Sequence, residues 1–346
     1  MKTPTLLLCL TLLLACAKEQ HCVTNFEPSA PEGFTLRQLQ VFEYDGDLEK
    51  MQFVNKNTGF ILANRSGIDL EVELFKTTNG GTSWDTLTVP NSRSPIDILF
   101  LDENNGFVTH WTDFSYPVMK KTEDGGQSWA ELTYPDLEGR ISHLYADADQ
   151  NLYGKLSLLG IPTQILKSTD KGETWQTILT LPNLSGDILE LHQDRLYLEL
   201  PDKEVMVTDL DGNHIKNIRL DQLRHSMVDF AVIDADNIIV TSGYAAIKTT
   251  DGGVTWEAFF NIPVRVIGFA SPNDGIMVID KGYCGDSPIP YAVIAHTTDG
   301  GDSWKESEYT DELVDRVVAV ETVSGDQHLI LVNNWWDGFA LVVLER

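Results

Sequence analysis

A nine-residue phrase that returns five times constrains this chain more than any other feature. It reads KTTNGGTSW from Lys76, KTEDGGQSW from Lys121, KSTDKGETW from Lys167, KTTDGGVTW from Lys248 and HTTDGGDSW from His296. Its tryptophans, Trp84, Trp129, Trp175, Trp256 and Trp304, are 45, 46, 81 and 48 residues apart. The 81-residue gap is close to two periods, and VTDLDGNHI from Val207 stands where a decayed sixth copy belongs. Self-similarity at a period of about 45 residues means one supersecondary unit repeated, each burying its apolar surface against its neighbours.

A second pattern precedes each phrase: a β-rich run, a polar turn and another β-rich run, as in Ile96–Phe100, Asp102–Asn105 and Gly106–Val108. Equivalent units begin near Met51, Ile141, Ile188, Val228, Val266 and Val317, so there are seven. About 45 residues accommodate four short strands with their turns, and radial repetition of four-stranded sheets makes a β-propeller. The expected fold is therefore all-β, with seven four-stranded antiparallel blades over residues 36–346. The last unit, Arg316–Arg346, has room for only three strands. Leu36–Tyr44, which alternates apolar and polar residues, is expected to pair beside them and close the ring.

The phrase resembles the Asp-box, or BNR repeat, Ser/Thr-x-Asp-x-Gly-x-x-Trp, which lies at the hairpin between the third and fourth strands of a blade. In that setting Asp124, Asp170, Asp251 and Asp299 accept backbone N–H groups, and Asn79 does the same in the first copy. Gly126, Gly172, Gly253 and Gly301 supply positive φ. The five tryptophans pack against the turns. Equivalent residues in five outward-facing copies cannot converge on one site, so these are structural. The fourth blade offers only His214 or Ile215 in the tryptophan position and is expected to be the loosest. Asp147–Asn151 imitates a calcium loop, but Leu152 and Leu158 replace the required Gly and Glu, and it reads as a turn.

Lys2 followed by the apolar run Leu6–Leu14 is too short to span a bilayer and fits a secretion signal. Leu13-Leu14-Ala15-Cys16 resembles the bacterial lipobox. That resemblance implies a signal peptide over residues 1–15, diacylation of Cys16, a tether over 16–35, and a monomeric body held at the cell envelope by its acyl chains alone. By the sorting rule familiar from enteric bacteria, Ala17 favours the outer membrane. Cys22 and Cys284 are left as a pair that could form a disulfide. A formal charge of −27 argues against nucleic acid or anionic lipid as partner. No nucleotide fingerprint, catalytic triad or metal-spaced His/Cys cluster is present, so neither cofactor nor metal is expected.

Four of the ten arginines, Arg93, Arg140, Arg265 and Arg316, stand just before the innermost strand of a blade and should ring one face of the axis. They suit carboxylates of a partner. Seven Asp-box blades with such arginines resemble the photosystem II stability and assembly factor family, whose propeller uses an arginine patch to hold a partner protein. The blades starting at Ile188 and Val228 lack the arginine. Trp335-Trp336 and the aromatic stretch Trp111–Tyr116 are candidates to stack on sugars or bury into a partner. The resulting expectation is a non-catalytic scaffold for a protein or glycan. The alternative is an Asp-box glycoside hydrolase related to sialidases or xyloglucanases, although the sialidase Arg-Ile-Pro signature is missing.

Overall fold

A computed structural model describes residues 33–42, 46–65, 72–111, 116–181, 188–223, 226–260, 263–283, 290–309, 316–324, 327–334 and 338–346. Strand β1 (Thr35–Phe42) precedes the first complete blade. Blade 1 is β2–β5 (Gly46–Phe53, Gly59–Arg65, Val72–Thr77, Asp85–Val89) and blade 2 is β6–β9 (Arg93–Phe100, Gly106–Trp111, Val118–Thr122, Ala130–Thr133). Blade 3 is β10–β13 (Arg140–Ala146, Leu152–Leu158, Ile161–Ser168, Gln176–Thr180), and blade 4 is β14–β17 (Ile188–His192, Arg195–Leu200, Glu204–Asp209, His214–Arg219). Blade 5 is β18–β21 (Met227–Val232, Ile238–Ser242, Ala245–Thr249, Glu257–Phe260). Blade 6 is β22–β25 (Val264–Phe269, Gly275–Tyr283, Pro290–Thr297, Lys305–Tyr309), and β26–β28 (Arg316–Ser324, Gln327–Asn334, Gly338–Glu345) begin blade 7.

Blade 7 is completed by β1, which lies antiparallel on β28 from Thr35 opposite Glu345 to Phe42 opposite Phe339. The fold is thus the seven-bladed, all-β propeller that the repeat implied, closed by the N-terminal strand. Each innermost strand touches the innermost strands of the blades on both sides, from β2 round to β26 and back to β2.

The second and third strands of each blade are apolar on both faces, because each face is covered by another blade. Phe60 and Leu62 point into the junction with blade 2, while Ile61 and Ala63 point into the junction with blade 7. Among the described residues the result is seven separate apolar clusters, one between each pair of neighbouring blades. This period of two, buried on both faces, is why the strands read as near-continuous apolar runs.

The Asp-box hairpins are built alike. In blade 2, Thr122 Oγ1 accepts the Gly126 N–H (2.8 Å) and donates to Asp124 Oδ1 (2.9 Å). Asp124 accepts the Ser128 N–H (2.8 Å) and its hydroxyl (2.6 Å). Asp170, Asp251 and Asp299 repeat the pattern, and Asn79 accepts the Ser83 N–H (2.9 Å) in the first copy. These bonds hold the Asp124, Asp251 and Asp299 carboxyls down at about 2.

The box tryptophans do more than cover their own turns. Trp84, Trp129, Trp175, Trp256 and Trp304 each pack against the apolar cluster shared with the preceding blade. The second box glycine presses on that same blade: a Cβ on Gly253, at φ +93°, would lie 2.5 Å from Ile218 of blade 4. In the decayed copy, Asp209 instead accepts the N–H groups of Asp211 (2.9 Å) and Asn213 (2.8 Å), and Ile215 is exposed. Asp147 likewise closes its β10–β11 turn on the Asp149 and Asn151 N–H groups and the Tyr153 hydroxyl.

Candidate functional site

The topology separates the propeller into two ends of different chemistry. The Asp-box hairpins and the turns between first and second strands lie at one end. The starts of the innermost strands and the links between second and third strands lie at the other. Arg93, Arg140 and Arg316 are the first residues of β6, β10 and β26, and Arg265 is the second residue of β22. All four therefore share the second end.

Backbone register sets these arginines beside the second-to-third strand links. Arg93 pairs with Trp111, where the aromatic stretch begins; Arg140 pairs with Ser157; Arg316 pairs with Asn333, two residues before Trp335. Arg265 is the extra residue of a β-bulge between Val264 and Val266. The side chains of Arg140 and Arg265 are half-buried, and burial lowers the Arg140 pKa. Exposed apolar side chains lie at the same end: Leu159 in the β11–β12 turn is 98 % exposed, Tyr244 in the β19–β20 turn 62 % and Val228 at the start of β18 51 %. Trp335, Trp336, Cys16, Cys22 and Cys284 lie outside the described residues.

Around the axis, side chains of one innermost strand cap backbone groups of the next. Gln52 accepts the Phe100 N–H (2.8 Å) and donates to its carbonyl (2.9 Å). Asp97 accepts the Leu144 N–H (2.6 Å) and the Lys50 ammonium (2.6 Å); Glu190 accepts the Val232 N–H (2.7 Å); Asp229 accepts the Ile267 N–H (2.8 Å). Glu321 accepts the Phe53 N–H across the closing junction. Burial pushes the Asp229 carboxyl up to about 6 and Glu321 up to about 7. Nothing in the spacing of these acids along the chain separates a blade-to-blade cap from a solvated carboxylate, so the sequence alone does not reveal them.

Farther out, lysines join the blades. Lys76 donates to the Gly125 carbonyl, Lys121 to Glu173, Lys167 to Asp211, Lys216 to the Gly252 carbonyl and Lys248 to the Gly300 carbonyl and Asp302. The junction between blades 6 and 7 differs. There His296, Asp274 and His328 come together under Phe34, whose ring meets His296 edge-on with centroids 4.5 Å apart. Burial lowers the pKa of both histidines, that of His328 to about 4. The sequence signal for this cluster was the fifth box, which begins with His where four others begin with Lys.

A family model described as photosynthesis system II assembly factor YCF48 matches residues 76–210. A solved structure of YCF48 bound to D1 peptide superposes with a TM-score of 0.64 at 16 % identity, over 93 % of this chain and 98 % of that one. This is a BNR-type propeller. A second similar structure is the GH74 xyloglucanase from Xanthomonas campestris, with a TM-score of 0.60 at 10 % identity over 89 % of this chain and 53 % of that one. Comparison with curated protein sequences gave no match.

Proposed function

We propose that this chain is a non-catalytic BNR-propeller scaffold, anchored to a bacterial cell envelope by lipid on Cys16, that holds a partner protein at its arginine end. The observation that carries the reading is the gathering of Arg93, Arg140, Arg265 and Arg316 with the exposed Leu159, Tyr244 and Val228 at one end of a chain whose net charge is −27. Forked guanidinium groups and exposed apolar side chains at the same end suit an acidic peptide segment that also carries hydrophobic residues. The D1 peptide bound by YCF48 supports a propeller of this shape acting as a peptide holder. Three of the four described carboxylates with raised pKa, Glu190, Asp229 and Glu321, are engaged in capping neighbouring strands, which favours the scaffold over a hydrolase; the fourth, Glu49, is raised by burial and the neighbouring Asp47.

The test is affinity purification of the native protein from its own membranes, with and without Arg140→Glu, Arg265→Glu and Arg316→Glu together. A specific protein should co-purify with the unaltered chain and be lost from the triple variant. An unchanged set of bound proteins sinks the arginine end as the binding surface. For the anchor, metabolic labelling with a fatty-acid probe should mark the wild type and spare Cys16→Ala; equal labelling would refute it.

A further inference from the structure

The junction between blades 6 and 7 departs from the repeat at three positions that meet in space. His296 replaces the lysine that begins the other four intact boxes. Asp274, buried in the turn before β23, stands where four sister turns have Thr58, Asn105, Asn151 and Asn237; the short blade 4 turn has an acid there too, but Asp194 is exposed. His328 stands opposite Thr322, where the equivalent positions pair Gly59 with Phe53, Gly106 with Phe100 and Gly275 with Phe269. This junction also has no box tryptophan entering from the following blade, because blade 7 has no Asp-box.

We propose that Asp274, His296 and His328 form a binding site for one divalent transition-metal ion, with zinc the best suited, that pins blade 6 to blade 7. Two imidazoles and a carboxylate are a donor set for such ions, with a fourth position left for water. One ligand atom from each lies within 4.8 Å of the other two. Asp274 Oδ1 is 3.0 Å from His328 Nε2 and 3.5 Å from His296 Nε2. Ligand atoms sharing a tetrahedral zinc are about 3.4 Å apart, given bonds of about 2.0–2.2 Å, so the two separations bracket what one ion requires.

Two of the three facing ligand atoms, His328 Nε2 and Asp274 Oδ1, are also unsatisfied without an ion. His328 is fully buried; its Nδ1 has no hydrogen-bond partner, and its Nε2 and Asp274 Oδ1 have none beyond their own 3.0 Å ion-pair contact. Buried, unpaired nitrogens and oxygens are costly, and a cation between His328 Nε2 and Asp274 Oδ1 satisfies both of those atoms together. The positive charge now beside them is Arg346, whose Nη2 is 2.9 Å from both Asp274 Oδ2 and His296 Nε2. It lies beyond the end of β28 with a side chain 34 % exposed, so it can withdraw without disturbing a strand. Arg346 and the ion are therefore alternative occupants.

The experiment is calorimetric zinc titration of the full chain after chelator treatment, with cobalt absorption as a second readout of tetrahedral nitrogen and oxygen ligation. One zinc per chain should bind, and the unfolding midpoint should rise with zinc and fall again with chelator. His296→Lys restores the residue used by the other boxes, so it should keep the fold, and its zinc affinity should drop by at least about 100-fold. Arg346→Ala should bind about tenfold more tightly once the competing charge is gone. Failure of both the wild type and Arg346→Ala to bind one equivalent overturns the proposal. So does undiminished binding by His296→Lys and His328→Gln.

Discussion

Replacing Glu321 with Gln should leave stability unchanged at pH 4 and raise it by about 2 kcal/mol at pH 8. Glu321 projects from β26 to the Phe53 N–H of β2, and burial raises its pKa from 4.5 to about 7 against the opposing pull of Lys50. A carboxyl that holds its proton more tightly in the folded state contributes stability that is complete below its unfolded pKa. That contribution is lost as pH rises through about 7. The rise from 4.5 to about 7, at about 1.36 kcal/mol for each tenfold change in proton affinity, gives about 3.4 kcal/mol, reduced to about 2 because the side chain keeps some contact with water. Gln fits, because Gln52 occupies the equivalent position in blade 1 and bonds both the N–H and the carbonyl of Phe100. Thermal unfolding of both proteins from pH 4 to pH 8 should show midpoints that coincide at the acid end and separate by about 3–6 °C at the basic end. An equal separation at every pH, or a variant less stable at pH 8, would refute the reasoning.

The Asp-boxes give the opposite pH dependence: Asp124, Asp251 and Asp299 contribute stability that is present above pH 3.8 and lost as pH falls toward 2. Acid titration of Asp124→Asn, followed by circular dichroism, should show a weaker loss over that window than in the wild type. Gly253→Ala combines a positive φ with a Cβ 2.5 Å from Ile218 and should cost about 2–4 kcal/mol in a urea titration, whereas Gly243→Ala, with open space around its Cβ, should cost under about 1. Trp129→Ala removes packing from the junction of blades 1 and 2 and the indole bond to the Gly126 carbonyl (3.1 Å); the same titration should register about 3 kcal/mol.

The fold was legible because its information is periodic. Five tryptophans at a regular spacing, apolar runs between polar turns, and a final unit one strand short led to seven blades and to β1 as the missing strand. Strand ends agreed closely: Leu36–Tyr44 was expected and Thr35–Phe42 is observed. The shared end of the four arginines was legible for the same reason, since equivalent positions in a repeat are related by rotation about one axis. What the sequence hid depends on contacts between different blades. Asp97, Glu190 and Asp229 look like surface acids until their neighbours' N–H groups are placed beside them. Asp274, His296 and His328 are spread over more than fifty residues and lack the short spacing by which metal ligands announce themselves. The useful clue was a departure from the consensus, His for Lys in HTTDGGDSW, which points to a local function more clearly than the repeated letters around it.

The pairing of Thr35 with Glu345 has a consequence for the order of events during synthesis. The hydroxyl of Thr35 donates to the Glu345 carbonyl across 310 residues of chain. β1 is among the first parts of the propeller to leave the ribosome, yet the strand it joins is the last. Six blades can assemble as local four-stranded units while β1 waits, and during that interval its hydrogen-bonding edge is open to any other strand within reach. A nascent chain stalled before β28 would be a crescent with two unsatisfied rims, prone to join another such crescent.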